Sequence, residues 1–324
     1  MLVIGLFTSV SLAASLYFWL QRPMRLLTPT VEYSVQPGQS PREVAQGWVD
    51  AGVRADGWLL YEWFRWSGDA RRIRAGSYQI STGTTPLELL RKMVAGDETL
   101  VRVRFIEGWT FRQMRAALAS ATGLKPDSTT LDEAALMAAI GAPGVAAEGH
   151  FFPDTYAYAR GSSDLDVLRR AFGAMQRRLD TVWAERAADL PLNSPEQMLT
   201  LASIVEKETG RAADRPNIAA VFVNRLRLGM PLQTDPTVIY GLGTAFDGNL
   251  RRADLERDSP YNTYRHTGLP PTPIALPGRD ALLAAARPAQ TRAIYFVARG
   301  DGTSEFSDNL ADHNRAVNKY QRGQ

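Results

Sequence analysis

The residues with the clearest chemical potential are two glutamates, Glu206 and Glu208, near the end of a mostly apolar helical segment. Apolar side chains between residues 198 and 205 cover most of the circumference of that helix, which is typical of a buried helix. A carboxyl group there has lost much of its water and faces the negative end of the helix dipole. Both effects favour the protonated form. Such a group could hold a proton near neutral pH and donate it, as cleavage of a glycosidic bond requires.

Periodicity alone does not choose between the two carboxyl groups. Glu206 falls between Leu199 and Ala202 on the helical wheel, and Glu208 falls on the other flank, near Leu201. Glu206 lies deeper in the helix, so we favour it as the proton donor because of its expected burial. A surface helix end with solvated charges is the alternative interpretation of the same pattern.

The ends of this helix carry clear signals. Ser194 is a good N-cap, Pro195 suits the first helical position, and Gln197 could complete a capping box with Ser194. Gly210 is a typical stop signal. The sequence therefore predicts a helix over residues 195–209.

Composition excludes several classes of function. The 324 residues, 45% hydrophobic and 22% charged, suggest about two globular domains. The net charge of +3 comes from scattered arginines, which argues against a nucleic-acid partner. The chain has no cysteine, so disulfides, Cys-zinc sites and Cys nucleophiles are excluded. The three histidines are far apart and lack metal-ligand spacing, and we expect neither a metal nor a cofactor.

The N-terminus predicts a membrane anchor over residues 1–21. Residues 2–20 carry no charge, and nineteen residues are about enough to span a hydrocarbon core as a helix. A cleaved signal peptide is the competing interpretation, but it would need a basic N-terminal region, and the apolar run continues past its best small-residue site. Arg22 and Arg25 follow the span, so the positive-inside rule alone would keep the remaining chain in the cytoplasm.

Two regions of mixed composition follow, and together they predict an α+β fold. Residues 31–97 read as a small unit with strands at 31–35 and 76–80 and helices at 41–51, 58–66 and 85–96. In residues 98–324 we predict two strands, at 101–106 and 292–298. We predict helices at 111–122, 131–140, 164–188, 195–209, 217–228, 281–286 and 308–320. Residues 231–277 are expected to be mostly irregular, and a long aromatic-rich loop of this kind is usually functional.

Several stretches resemble one family, the endolytic murein transglycosylases, also called the MltG or YceG-like family. They occur in family order over nearly the whole region after the apolar N-terminus. The stretches are Glu107–Thr110, Gly149–Tyr156, Ala202–Thr209, Val221–Leu226, Gly229–Val238, Tyr261–Tyr264, Gly268–Pro271 and His313–Asn314. Each stretch alone is weak, but together they are highly specific. Ser304 departs from the pattern, because many members of the family carry a His there.

The resemblance implies a single-pass inner-membrane protein with its body in the periplasm. It implies a LysM-like subdomain at residues 31–97 and a transglycosylase catalytic domain at residues 98–324. The family cuts peptidoglycan glycan strands internally and leaves 1,6-anhydro-N-acetylmuramic ends, and its catalytic glutamate aligns with Glu206. The expected partners are peptidoglycan glycan strands and the membrane, with peptidoglycan synthases as further candidates.

In the expected mechanism one residue acts first as acid and then as base. Protonated Glu206 gives its proton to the bridging oxygen between N-acetylmuramic acid and N-acetylglucosamine, and then accepts the proton of the sugar's own C6 hydroxyl. Aromatic and amide groups in an irregular segment suit sugar rings and hydroxyls. The candidate glycan-binding residues are therefore Gln233, Asp235, Asn262 and Tyr264. Hydrogen bonding within the loop is the alternative role for these four.

Two other functions remain open at this point. A hydrolytic muramidase would use Glu206 and a second carboxylate such as Asp235 to activate water. A non-catalytic, membrane-anchored scaffold would bind peptidoglycan through the small unit alone.

Overall fold

The computed structural model describes residues 14–322. The predicted anchor at residues 1–21 therefore lies largely outside the described residues, and only its helical end, residues 14–21, is described. Within residues 14–322 no helix is both long enough and apolar enough to cross a membrane. The described chain mixes helices with short two-stranded sheets, in agreement with the predicted α+β class.

The chain forms two compact units. The first unit contains the described chain up to Arg102, together with the short segments Thr122–Lys125 and Ala157–Ser162. The second unit contains Val103–Ala121, Pro126–Tyr156 and the chain from Ser163 onward.

The first unit is built around one antiparallel pair of strands. Its elements are β1 (Arg25–Leu26), β2 (Thr30–Val35), α1 (Pro41–Ala51), β3 (Val53–Arg54), α2 (Gly57–Trp66), β4 (Gly76–Ser81) and α3 (Pro86–Ala95). Strands β2 and β4 pair in a register that sets Tyr33 opposite Tyr78. Helices α1 and α3 each begin at a complete capping box, because Ser40 and Thr85 exchange hydrogen bonds with the glutamate three residues later.

Most of the helices belong to the second unit. They are α4 (Phe111–Ala119), α5 (Glu133–Ala139), α6 (Asp164–Ala184), α7 (Pro195–Glu208), α8 (Arg215–Arg227), α9 (Asp235–Leu242), α10 (Arg252–Glu256), α11 (Arg279–Ala286) and α12 (Leu310–Val317). Strands β7 (Tyr295–Ala298) and β8 (Ser304–Ser307) form a hairpin. Strands β5 (Leu100–Arg104) and β6 (Thr155–Ala159) pair with each other, and both cross the sequence boundary between the units.

Helix α7 is the central element of the second unit. All eight residues from Met198 to Val205 are buried, as the apolar periodicity predicts, and α8 and α11 pack against them. Ser194 caps the helix by accepting from the Gln197 amide. The predicted capping box is incomplete, however, because the Gln197 side chain accepts from the Asn193 amide rather than from Ser194. Because this helix is buried, the positions of the Glu206 and Glu208 side chains in its last turn are well defined.

Residues 231–277 are mostly irregular, as predicted, but two short helices that were not predicted, α9 and α10, lie within them. Helix α9 begins where Thr234 adopts an extended conformation, and Asp235 and Pro236 then take the first two helical positions. An acidic residue and a proline both favour a helix N-terminus. The density of glycine and proline in the whole segment hid this short helix.

Candidate active site

Glu206 lies in the last turn of α7 with both carboxylate oxygens engaged. The side chain is only 5% exposed. Its Oε1 accepts from Arg215 Nη2 at 2.9 Å, and its Oε2 accepts from the Gly278 amide at 2.9 Å. One guanidinium and one backbone amide therefore hold the carboxyl group in a fixed orientation.

Two helix N-termini supply these partners. Arg215 is the first residue of α8, which follows α7 after a short turn, and Gly278 is the N-cap of α11. A side chain at position 278 would overlap the Glu107 carboxyl group, so a larger residue there would have to displace the Glu107 side chain. The Gly108 amide donates to Leu276 O at 2.9 Å and keeps the same two segments together.

Burial raises the pKa of Glu206 above its ordinary value, in the direction that the sequence predicts. The Gly278 amide and the Arg215 guanidinium lower the pKa in opposition to burial, and the negative charge of Glu107 adds to the increase. Arg215 also lies 3.6 Å from Asp280, and its Nε has no hydrogen-bond partner within residues 14–322. The site thus combines a carboxyl group that resists ionisation with two groups that stabilise its ionised form.

Glu208 is also largely buried but has different partners. The hydroxyl of Thr234 donates to it, and burial raises its pKa to about 6, with Asp235 adding to the increase and Arg225 opposing it. We expected from the sequence that Glu206 would be more buried than Glu208, but both carboxyl groups are largely buried, so burial does not identify the proton donor. What distinguishes Glu206 is its direct ion pair with Arg215 and its contact with the Gly278 amide.

Three of the four candidate glycan-binding residues lie in segments that run side by side. Asp235 accepts from the Tyr264 hydroxyl at 2.6 Å, and the Gln233 amide donates to Thr263 O at 3.0 Å. Gln233 has a φ of 51°, a conformation that no other non-glycine residue in the described part of the chain adopts. Its side chain and that of Asp235 are exposed. This arrangement presents an amide, a carboxylate and an aromatic ring together.

Asn262, the fourth candidate, is buried and bonds within its own loop. Its side-chain amide donates to Leu255 O at 2.9 Å and to Arg257 O at 2.7 Å, and its Oδ1 accepts from the Tyr264 amide at 3.0 Å. Only 1% of the residue is exposed. Asn262 therefore orders the loop that carries Tyr264.

A groove of about 1240 Å³ lies in the same unit and reaches Lys207, the neighbour of Glu206. Aromatic rings on its walls include Phe111, Tyr240, Phe246 and Tyr261. The groove is also lined by Glu148, a buried carboxyl group that the sequence reasoning missed. It missed Glu148 because one acidic residue in a loop has no periodic pattern, and only the folded structure reveals its burial.

The three histidines occupy separate places. His150 contacts Glu196 at 2.8 Å, His266 contacts Asp258 at 2.9 Å, and the ring of His313 stacks on Tyr295. In residues 14–322 no group of three or more His, Asp or Glu side chains is arranged to hold a metal ion.

Comparison with known proteins adds three relatives. An endolytic murein transglycosylase of Bacillus subtilis is 42% identical over 174 residues, which are 53% of this chain and 48% of that protein. An endolytic murein transglycosylase of Streptococcus pneumoniae is 26% identical over 351 aligned positions, covering 95% of this chain and 63% of that protein. The match to the Bacillus protein thus spans about half of its length. A crystal structure of a YceG-like protein from Listeria monocytogenes superposes with a TM-score of 0.57 at 28% identity, covering 88% of this chain and 98% of that one.

The family assignment rests on a broader match. Residues 33–319 fit the sequence model of the YceG-like family, which is most of the chain and includes every residue of the Glu206 site described above. The chain therefore belongs to the YceG-like family.

Proposed function

We propose that this protein is a lytic transglycosylase that cuts peptidoglycan glycan strands internally, with Glu206 as its catalytic residue. The observation that carries the proposal is the buried Glu206 carboxyl group, which Arg215 and the Gly278 amide hold in place. The next residue of the helix, Lys207, lines a large groove. The names of the curated relatives, endolytic murein transglycosylases, support the same substrate class.

The first step uses Glu206 as an acid. Its proton passes to the bridging oxygen between N-acetylmuramic acid and N-acetylglucosamine, and the bond from that oxygen to C1 breaks. Burial favours the protonated carboxyl group that this step needs.

The second step uses the resulting carboxylate as a base. It accepts the proton of the C6 hydroxyl of the same N-acetylmuramic acid residue, whose oxygen closes on C1 to give the 1,6-anhydro end. No water is consumed, and Glu206 regains its proton. Because the nucleophile belongs to the substrate, the reaction needs no second carboxylate to activate water.

Arg215 and Gly278 favour the ionised state of Glu206 over its protonated state. Their hydrogen bonds stabilise the carboxylate that exists between the steps, and hydrogen bonds to charged groups are about twice as strong as neutral ones. Burial opposes this preference and raises the pKa of Glu206. A residue that must alternate between acid and base requires this balance.

The groups that we propose to hold the glycan are Gln233, Asp235 and Tyr264. They lie in one surface region of the second unit, close to Glu208 and Thr234. For Asn262 the burial and the internal hydrogen bonds favour an indirect role, in which it fixes the loop that presents Tyr264.

Residues outside this site have separate proposed roles. Residues 31–97, with two paired strands and intervening helices, would act as a LysM-like unit that binds glycan weakly or positions the catalytic domain. The uncharged run of residues 2–20 would anchor the protein in the inner membrane with its body in the periplasm.

The test is digestion of purified peptidoglycan followed by mass spectrometry of the products. A lytic transglycosylase yields ends that are lighter than hydrolysed ends by the mass of one water. Internal cleavage should shorten the strands by large steps before small fragments accumulate. Hydrolysed ends would establish a muramidase instead, and intact strands bound to a folded protein would establish a scaffold.

A further inference from the structure

Glu148 is a buried carboxyl group for which the proposed mechanism has no use. Only 8% of the residue is exposed. Its Oε1 accepts from the Phe111 amide at 2.9 Å, and its Oε2 lies 3.2 Å from the Tyr240 hydroxyl. In the described part of the chain it forms no ion pair with a basic side chain, and the negative charge of Glu133 adds to the increase in its pKa. A buried carboxyl group without a cation costs stability when it ionises, so a functional reason for its presence is expected.

The structure holds Glu148 firmly in the wall of the groove. The ring of His150 contacts Glu148 O at 3.0 Å and Glu196 at 2.8 Å, which fixes the backbone of this loop. Gly149, with a φ of +81°, lies so close to Pro273 that any side chain there would overlap the proline ring. The position of the carboxyl group is therefore built into the fold.

The same segments connect this wall to Glu206. The stretch 272–278 lines the groove at Thr272 and Ile274 and reaches Glu206 through the Gly278 amide. Lys207, the residue that follows Glu206 in α7, also lines the groove, so a ligand in the groove contacts the same helical turn that carries Glu206.

The protonation state of Glu148 determines whether Glu148 and Tyr240 can donate a hydrogen bond to a ligand. With Glu148 ionised, the only proton is that of the Tyr240 hydroxyl, and the carboxylate accepts it. With Glu148 protonated, the carboxyl group and the Tyr240 hydroxyl carry one proton each. One of these protons forms the hydrogen bond between the two groups, and the other is free to donate to a ligand in the groove. Burial raises the pKa of Glu148 to about 7, so both states are accessible near neutral pH.

Part of the groove lining is apolar. Ile239, Ile274 and Ala146 line the groove together with the Phe111 ring. A free hydrogen-bond donor beside apolar side chains fits a group that has both an acceptor oxygen and a methyl group. The acetamido group of an N-acetylated sugar has both.

We propose that protonated Glu148, together with Tyr240, binds the acetamido carbonyl oxygen of an N-acetylhexosamine in this groove, with the acetyl methyl group against Ile239 and Ile274. This inference rests on the proposed function for the choice of a glycan as the ligand. It assigns Glu148 a role in positioning the substrate and leaves the chemistry to Glu206.

The groups that could also titrate or carry charge around Glu148 come from several elements. Arg112 and Arg115 lie on α4, Glu133 on α5, Lys207 on α7 and Tyr240 on α9, while His150 lies in the loop of Glu148 itself. Any effect of Glu148 must therefore be separated from effects of Glu133 and His150.

The experiment measures binding of chitotetraose to the full chain with Glu206→Gln, which removes the proposed acid and prevents cleavage. Isothermal titration calorimetry between pH 5 and pH 8 should show affinity falling about fivefold as pH rises, the loss expected for one neutral hydrogen bond. Adding Glu148→Gln should keep the affinity high over the whole range, since the amide always carries protons to donate. The matched variant Glu133→Gln should retain the pH dependence.

Three results would overturn the proposal: affinity independent of pH in the Glu206→Gln protein, affinity that rises with pH, or a pH dependence that survives Glu148→Gln. Saturation-transfer NMR should show the acetyl methyl group as the part of the ligand closest to the protein, and dominance of the ring protons would refute the acetamido assignment. Wild-type cleavage of glycan strands is measured in parallel. If cleavage is absent but the pH-dependent binding persists, the proposed function fails alone, and if cleavage occurs without that pH dependence, this inference fails alone.

Discussion

Replacing Arg215 should separate the two opposing effects at Glu206. In Arg215→Met the guanidinium contact at 2.9 Å is lost, while the Gly278 amide contact remains. A hydrogen bond to a charged group contributes about 1.5–3 kcal/mol. The carboxylate formed after proton donation loses that stabilisation, so kcat should fall roughly ten- to a hundredfold, given that about 1.4 kcal/mol corresponds to a factor of ten.

The pH dependence of this variant has a definite sign. Arg215 lowers the pKa of Glu206 in opposition to burial, so its removal should raise that pKa further. Activity needs the protonated form, and the alkaline limb of the pH–rate profile should therefore move to higher pH. A carboxyl group whose pKa is raised by folding contributes stability at low pH that is lost as pH rises through the folded pKa. Arg215→Met should accordingly lose more melting temperature at pH 8 than at pH 5.

The assay is the initial rate of cleavage of soluble glycan strands, measured from pH 4 to pH 9 at saturating substrate. Arg211→Met is the matched control, because Arg211 is exposed and its Nε lies 3.9 Å from Asp214 rather than beside Glu206. The control should keep the wild-type profile. An unchanged kcat in Arg215→Met, or an alkaline limb that moves to lower pH, would refute the proposed balance at Glu206.

Three further outcomes are expected. Tyr264→Phe removes the hydroxyl that donates a hydrogen bond to Asp235 at 2.6 Å, and it should raise KM several-fold with a smaller change in kcat. A change in kcat alone in steady-state kinetics would contradict a binding role. Burial raises the pKa of Glu148 from 4.5 to about 7, so the contribution of Glu148 to the free energy of unfolding should decrease by on the order of 3 kcal/mol between those pH values, and urea titrations should show a flatter profile for Glu148→Gln than for wild type. A reporter fused after Gln324 should be active outside the cytoplasm, whereas activity confined to the cytoplasm would refute the proposed topology.

Helices with regular apolar periodicity and clear end signals were predictable from the sequence. The helix at residues 195–209 agrees with α7 to within one residue, since Ser194 and Pro195 mark its start and a continuous buried surface follows. The helix at 41–51 agrees with α1 for the same reasons. Helix α9 was missed because local glycine and proline content outweighed the weak start signal at Thr234.

The surroundings of the candidate site were less accessible to sequence reasoning. The helical wheel could suggest that Glu206 and Glu208 lose water, but it could not supply their partners. Arg215 lies nine residues from Glu206, and Gly278 lies 72 residues away. The burial of Asn262 and Glu148 likewise results from loop packing between distant segments, which has no periodic signal in the sequence.

The most direct test of the account compares Glu206→Gln with Glu208→Gln on purified glycan strands. Both amides nearly preserve shape, and circular dichroism and melting temperature establish that each variant is folded. Loss of a general acid typically lowers the rate by about a hundredfold to ten-thousandfold. Glu206→Gln should form 1,6-anhydro ends at a rate lowered by that factor, while Glu208→Gln should retain most of the rate. A folded Glu206→Gln protein that still produces anhydro ends at the wild-type rate, beside an inactive Glu208→Gln protein, would contradict the central assignment.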